Sequence, residues 1–322
     1  MRAPEFWSRD DPASRVLAQA LSPLGLLYGA SVAWKAKLGK PYRTRAKVIC
    51  VGGLVAGGSG KTPLAIAIAQ AVLEGGRKPV FLTRGYRGSL NGPVWVDPEK
   101  HTSLAVGDEA LLLARTAPVV VAHNRRAGAA MAETCDVIVM DDGHQNFQLA
   151  KDLSIVVIDA DNPVGNGRML PAGPLREPPK QALARANAIV LMGNGSSRIP
   201  HFRGPTLRAS LVPVGGETLR GARCVAFAGI GRPQKFFETL RELGAELADC
   251  RTYADHHAYG ASEIAALKAL AMKKTARLIT TEKDYVRVSP AERDGIEVLP
   301  VAVSFEDRGD LLSMIDAIVR TR

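Results

Sequence analysis

Aromatic side chains make up only 5% of the 322 residues, and none is interleaved with basic residues in the manner of a nucleic-acid module, so nucleic acid is not an expected partner. The four cysteines, Cys50, Cys135, Cys224 and Cys250, are far apart with no C-x-x-C pair. That pattern argues against a zinc cluster or a disulfide scaffold and suits apolar thiols in a reducing compartment. No N-K-x-D run is present to read a guanine base, and no internal repeat or low-complexity tract occurs. Only one uncharged stretch approaches the ~20 residues needed to cross a bilayer, which excludes a polytopic membrane protein. Hydrophobic residues at 46% and charged residues at 23% exclude disorder as the main state.

The length suggests two domains, each long enough to bury a core. The net charge of +10 is concentrated at one end. Residues 1–47 carry nine basic residues (Arg2, Arg9, Arg15, Lys35, Lys37, Lys40, Arg43, Arg45, Lys47) against Glu5, Asp10 and Asp11, hence six of the ten charges. Between Arg15 and Lys35 lies an uncharged stretch, 16–34, interrupted by Pro23, Gly25 and Gly29. A signal peptide is disfavoured by the acidic residues ahead of it. The expected form is one or two interfacial helices with the basic cluster facing anionic lipid.

Strand and helix signals then alternate. Apolar β-rich runs at 48–51, 80–83, 119–121, 137–140, 155–158 and 188–192 enclose helical stretches at 63–73, 108–114 and 126–133. Continuous apolar strands separated by helices predict an α/β fold with a parallel sheet covered on both faces. Residues 193–205 read as a boundary. A second set follows at 224–228, 234–243, 262–271, 278–281, 297–303 and 311–319, predicting a smaller C-terminal α/β domain.

The strongest chemical signal is a strand running into Gly57-Gly-Ser-Gly-Lys-Thr-Pro63 and then a helix. Glycines let backbone amides converge on phosphate oxygens, and the helix N-terminus adds its positive end. Lys61 suits the β- and γ-phosphates and the Thr62 hydroxyl suits Mg²⁺. Val55 stands where the strict G-x-x-x-x-G-K-[ST] pattern has its first glycine. A second strand, 137–140, ends in Asp141-Asp142-Gly143, where an acid can support the metal opposite Thr62. Adjacent strand residues face opposite sides, so the two aspartates need not share a role. Asp255-His256-His257 is not a zinc site, because i, i+1 spacing does not bring two side chains together on a helix and no third ligand completes a set. A histidine paired with a carboxylate across a cleft makes better general-base chemistry.

These motifs converge. The chain resembles the tetraacyldisaccharide 4'-kinase family, the lipid A 4'-kinases of Gram-negative bacteria, over nearly its whole length. The resemblance rests on the atypical phosphate loop, Thr83-Arg-Gly-Tyr-Arg87, Gly107-Asp-Glu109 and Asp141-Asp-Gly-His-Gln145. It continues through the most specific run, Gly165-Asn-Gly-Arg-Met-Leu-Pro-Ala-Gly-Pro-Leu-Arg-Glu-Pro178, then Phe227-Ala-Gly-Ile-Gly-Arg-Pro233, Asp255-His-His257 and Thr281-Glu-Lys-Asp284. It implies an ATP- and Mg²⁺-dependent enzyme that phosphorylates the 4'-hydroxyl of a tetraacylated glucosamine disaccharide 1-phosphate to give lipid IVA, in lipid A biosynthesis. It implies work at the cytoplasmic face of the inner membrane, with an N-terminal segment that associates with that surface.

The implied division is a membrane-associating helical segment at 1–45, a P-loop kinase domain at 46–205 and a C-terminal α/β domain at 206–322. The implied catalytic dyad is Asp108 with His256, His257 being the alternative. Val55, Ala56, Gly57, Gly58, Ser59, Gly60, Lys61 and Thr62 are expected to bind nucleotide. Thr62, Asp141, Asp142, Gln145 and Glu177 are expected to hold Mg²⁺ directly or through water, and Arg176 to meet phosphate. In this reading Asp108, oriented by His256, accepts the proton of the attacking hydroxyl, and the domains close around ATP. His144 and Asn146 stand where the family often has Phe and His, so no role is carried to Asn146. The competing reading is a regulatory P-loop ATPase or GTPase acting on a protein partner.

Overall fold

The computed structural model describes residues 4–9, 11–195, 199 and 202–320. Arg2 and Asp10 of the N-terminal charge cluster, and residues 196–198, 200 and 201 of the expected boundary, lie outside them. The elements are α1 (Pro12–Leu38), β1 (Lys47–Gly53), α2 (Lys61–Glu74), β2 (Pro79–Thr83), β3 (Val94–Trp95), α3 (Ser103–Val106), α4 (Asp108–Leu113), β4 (Val119–Val121), α5 (Arg125–Met131), β5 (Val137–Met140), β6 (Leu153–Asp159), α6 (Pro179–Leu183) and β7 (Ala188–Met192). They continue with β8 (Thr206–Pro213), β9 (Arg223–Ala228), α7 (Pro233–Glu242), β10 (Glu246–Thr252), α8 (Ala261–Lys273), β11 (Arg277–Thr281), α9 (Glu282–Tyr285), β12 (Ile296–Leu299), β13 (Val301–Phe305) and α10 (Arg308–Arg320).

Nine strands form one sheet in the order β13-β8-β7-β6-β1-β5-β2-β4-β3, antiparallel only at its two edges. Successive residues of β1 point to opposite faces. Ile49 and Val51 pack with Leu64 and Ile68 of α2, while Val48 and Cys50 pack with Ala129 of α5. Burying each large aliphatic side chain contributes about 1.5–3 kcal/mol, so both faces need their helices. The chain leaves β1 for strands on one side, returns through β5, and crosses to β6 on the other. That reversal at the carboxyl ends of the strands opens a crevice where α/β folds bind ligands.

Four parallel strands, β10-β9-β11-β12, form the second sheet. The division differs from the expected one at 206. β8 pairs with β7 in the large sheet, and β13 and α10 return to it from the far end of the chain. The apolar run 297–303 is therefore two strands in two sheets. Pro300, which has no N–H for a ladder, separates them.

The uncharged N-terminal stretch is one helix of 27 residues, about 40 Å long. Asp11 caps it, accepting from Ser14 N at 3.0 Å. The helix is long and apolar enough to cross a membrane, by length and composition. Its small residues face the protein. A Cβ at Gly25 would lie 2.9 Å from the Met169 carbonyl oxygen, so glycine permits the close approach. Leu17, Leu24, Leu26, Leu27 and Trp34 face outward.

Candidate active site

β1 ends at Gly53 and α2 begins at Lys61, so residues 54–60 form the phosphate loop. The loop is held from outside by the long 165–178 segment. Ala56 N donates to Pro174 O at 2.8 Å and Arg176 N donates to Leu54 O at 3.0 Å. Gly60 has a left-handed φ of 88° as it enters α2, a conformation that favours glycine. Lys61 folds back to donate its Nζ to Gly57 O at 2.8 Å. Burial pulls its pKa down, opposed by the charge of Asp142.

Thr62 Oγ1 donates to Asp141 Oδ2 at 3.0 Å. Asp141 is buried, and its Oδ1, like the Ser59 hydroxyl, has no hydrogen-bond partner among the described residues. Burial, then the charges of Glu109 and Asp142, push the Asp141 carboxyl up from its ordinary range. A buried carboxylate oxygen without a donor is costly unless a cation reaches it. Among the described residues no cluster of three or more His, Cys, Asp or Glu is arranged to hold a metal. A hydroxyl and one carboxylate suit Mg²⁺, which keeps waters and takes substrate phosphates as its other ligands.

The remaining expected metal ligands are engaged elsewhere. Asp142, at a φ of 52°, turns to Arg176, whose Nη1 donates to Oδ1 at 2.7 Å. Burial opposes ionisation of Asp142, but Lys61 and Arg176 outweigh it and hold the carboxyl low. Glu177 is buried, and its two oxygens accept from Arg185 Nη2 at 2.7 and 2.6 Å. Gln145 Nε2 donates to Glu177 Oε1 at 3.1 Å and to Gly53 O at 3.0 Å. Gln145, Glu177 and Arg185 thus brace the end of β1 beside the loop.

His144 is buried between Ser154 Oγ and Ala182 O, each 3.0 Å from a ring nitrogen. The carbonyl can only accept, so Nε2 carries the proton and Nδ1 accepts from the serine. Burial, then the Lys151 and Arg185 charges, push its pKa down to about 3. Above the ordinary histidine range both folded and unfolded chains are neutral here. Below it the unfolded chain binds a proton that the folded site refuses, so stability falls as pH drops toward about 3. This one group is expected to contribute a slope of ~1.4 kcal/mol per pH unit in that window. Urea unfolding at pH 6 and pH 4.5 (about those values) checks it: His144→Gln should unfold with a shallower pH dependence than wild type by that amount. Equal slopes would remove the assignment.

The second sheet brings His256 and Arg287 to Asp108, which belongs to the large-sheet domain. Asp108 begins α4, buried at 4% exposure. Its Oδ1 accepts from Glu109 N at 3.0 Å, and its Oδ2 accepts from His256 Nδ1 at 2.8 Å and from Arg287 Nε at 2.7 Å. Burial opposes its ionisation, but His256 and Arg287 outweigh it and hold the carboxyl well below the usual range. His256 takes a left-handed φ of 60° and donates its backbone N–H to Gly229 O. Its neighbour His257 turns away to Glu263, 3.1 Å from both oxygens, and stacks on Tyr253. Of the two histidines, His256 alone meets Asp108.

The 281–284 run bridges the two sheets. Glu282 pairs with Arg115 and Lys283 with Glu109. Asp284 accepts from Gly229 N, Tyr259 OH, Arg287 Nη1 and Thr281 Oγ1. Arg287, Tyr259, Arg185 and Arg232 were not singled out from the sequence as site residues. Arg287 lies three residues beyond a motif that was, and Arg232 lies inside one.

The site thus joins the phosphate loop and Asp108 of the large-sheet domain to His256 of the second, and the chain that builds it is similar to known proteins along its whole length. The sequence model described as LpxK, tetraacyldisaccharide-1-P 4'-kinase, matches residues 17–320. Curated proteins named tetraacyldisaccharide 4'-kinase are similar along the whole chain. The one from Paramagnetospirillum magneticum is 47% identical over 325 residues, covering 99% of each chain. The one from Methylorubrum populi is 48% identical over 326 residues, covering 98% of each. Among solved structures, LpxK from Aquifex aeolicus, described as in complex with ATP, aligns with a TM-score of 0.75 at 26% identity. It covers 94% of this chain and 99% of that one. With the match spanning the phosphate loop, the 165–178 segment and the second sheet, the chain belongs to the tetraacyldisaccharide 4'-kinase family.

Proposed function

We infer that the protein transfers the γ-phosphoryl group of ATP to the 4'-hydroxyl of a tetraacyldisaccharide 1-phosphate, the phosphorylation that yields lipid IVA in lipid A biosynthesis. Family membership supports the substrate, and the pairing of His256 with Asp108 opposite the phosphate loop carries the chemistry. The loop amides of residues 55–62 and Lys61 bind the triphosphate. Mg²⁺, held by Thr62 and Asp141, would neutralise charge on the phosphates when bound. Asp142 acts through Arg176, and Gln145 and Glu177 act by bracing the loop.

The sequence placed the proton on Asp108, and the geometry favours the reverse order. Asp108 is buried, already accepts three hydrogen bonds and is held as a carboxylate by Arg287. It makes a weak base. His256 donates Nδ1–H to it, which leaves Nε2 as the acceptor, 3.7 Å from Asp255 Oδ2 on a partly exposed side chain. His256 Nε2 thus takes the proton of the attacking hydroxyl while Asp108 fixes tautomer and orientation, the division of labour found in Ser-His-Asp triads.

The outward face of α1, with Lys35 and Lys37 in its last turn and Lys40, Arg43 and Arg45 after it, suits an anionic membrane surface and supports a reading in which the enzyme works at the cytoplasmic side of the inner membrane, where ATP and the lipid meet. The deciding experiment is incubation of the full chain with γ-labelled ATP, Mg²⁺ and purified tetraacyldisaccharide 1-phosphate. A 4'-phosphorylated lipid is the expected product. ATP hydrolysis without a labelled lipid would support a regulatory ATPase instead.

A further inference from the structure

The second domain delivers another charged group to the phosphate loop. After β9 the chain passes through Gly229-Ile-Gly-Arg232 into α7. Gly229 is anchored on both sides: its N–H donates to Asp284 Oδ1, and its oxygen accepts from Arg287 Nη1 and His256 N. The loop that carries Arg232 is therefore fixed by the same network that places His256. From there Arg232 reaches across to the other domain. Its Nη2 lies 3.2 Å from Gly58 O at the tip of the phosphate loop and 3.2 Å from Asp159 Oδ2 at the end of β6.

Neither contact holds the guanidinium tightly. The Arg232 side chain is 63% exposed, and an ion pair of that exposure contributes only ~0–1 kcal/mol. Lys61 is already assigned to the triphosphate from within the loop, and two further cations nearby have tighter partners: Arg176 is held by Asp142, and buried Arg125 by Ala122 O. Around the loop tip there is room. A Cβ built on Gly57, Gly58 or Gly231 would meet no atom within 4 Å.

We propose that Arg232 is a further catalytic residue, a guanidinium supplied by the second domain that leaves Gly58 O and Asp159 to bind the γ-phosphate of ATP and neutralise charge during transfer. This rests on the phosphoryl-transfer reading. An arginine brought to a transferring phosphoryl group from outside the phosphate loop forms charge-assisted hydrogen bonds that strengthen as charge spreads over its oxygens.

The test compares full-length wild type, Arg232→Ala and Arg232→Lys, measuring kcat and KM for ATP with the lipid acceptor, and Kd for ADP and for a non-hydrolysable ATP analogue. Arg232→Ala is expected to lower kcat by at least about 10²-fold. It should weaken the analogue by about 10-fold, the loss of one charge-assisted contact, while ADP binding stays unchanged. Arg232→Lys should recover part of the kcat. An unchanged kcat in Arg232→Ala, or an equal loss of ADP and analogue binding, would overturn the proposal. A wild-type chain that labels no lipid would count against the kinase reading instead.

Discussion

Replacing His256 with alanine is expected to lower kcat by about 10²–10⁴-fold while the KM for ATP stays near its wild-type value, because a general base acts in the transition state and not in nucleotide binding. Asp108→Asn should cost a similar factor. The amide keeps the size of the carboxylate but loses the charge that fixes which ring nitrogen carries the proton. Since His256 Nδ1 and Asp108 Oδ2 are 2.8 Å apart and act as one unit, the double variant should be little slower than either single one. His257→Ala should leave kcat close to wild type, because His257 is turned to Glu263. Steady-state kinetics with saturating lipid measures all four. A His257 variant as impaired as the His256 variant, or multiplicative losses in the double variant, would break the assignment.

The parts of this site that were legible in the sequence are those written locally. β1, the phosphate loop and the start of α2 are contiguous, so glycines, lysine and threonine could be read in order. The apolar strands were legible because burial on both faces leaves a continuous run, as in Val119–Val121 and Val137–Met140. β10 has no such run. Its residues, Glu246–Thr252, include three charged side chains, and it is a strand because β9 offers it a ladder. Nor was the place of β13 in the large sheet legible, since it depends on pairing with β8, about ninety residues earlier. The same limit hid Arg287, 179 residues from the carboxylate it holds. Local sequence named Asp108 as a candidate. Which atom of the pair accepts a proton depends on a third residue that only folding brings to it.

Arg287→Met is expected to be the most destabilising single change at the site. Arg287 and its two carboxylate partners are nearly excluded from water, with side chains 3%, 4% and 0% exposed. Nε is bonded to Asp108, and Nη1 to both Asp284 Oδ1 and Gly229 O. Methionine fills much of the same volume, so the cost comes from the charges left behind. Asp284 retains Tyr259, Thr281 and Gly229 N as donors, whereas Asp108 keeps only His256 and Glu109 N. Removing one partner of a buried ion pair costs about 3–5 kcal/mol. With an unfolding entropy of ~2.1 cal/mol/K per residue, a chain of this length would lose ~4–8 °C in Tm. Arg287→Lys should recover part of that loss, since it keeps the charge but not the fork that joins Asp108 to Asp284. Adding Asp108→Asn to Arg287→Met removes the orphaned charge, so the double variant should be more stable than the sum of the two single losses. Thermal unfolding of the four variants decides the matter. Strict additivity would mean that Arg287 stabilises through Asp284 and Gly229 alone, and that its contact with Asp108 does not hold the carboxylate on which His256 depends.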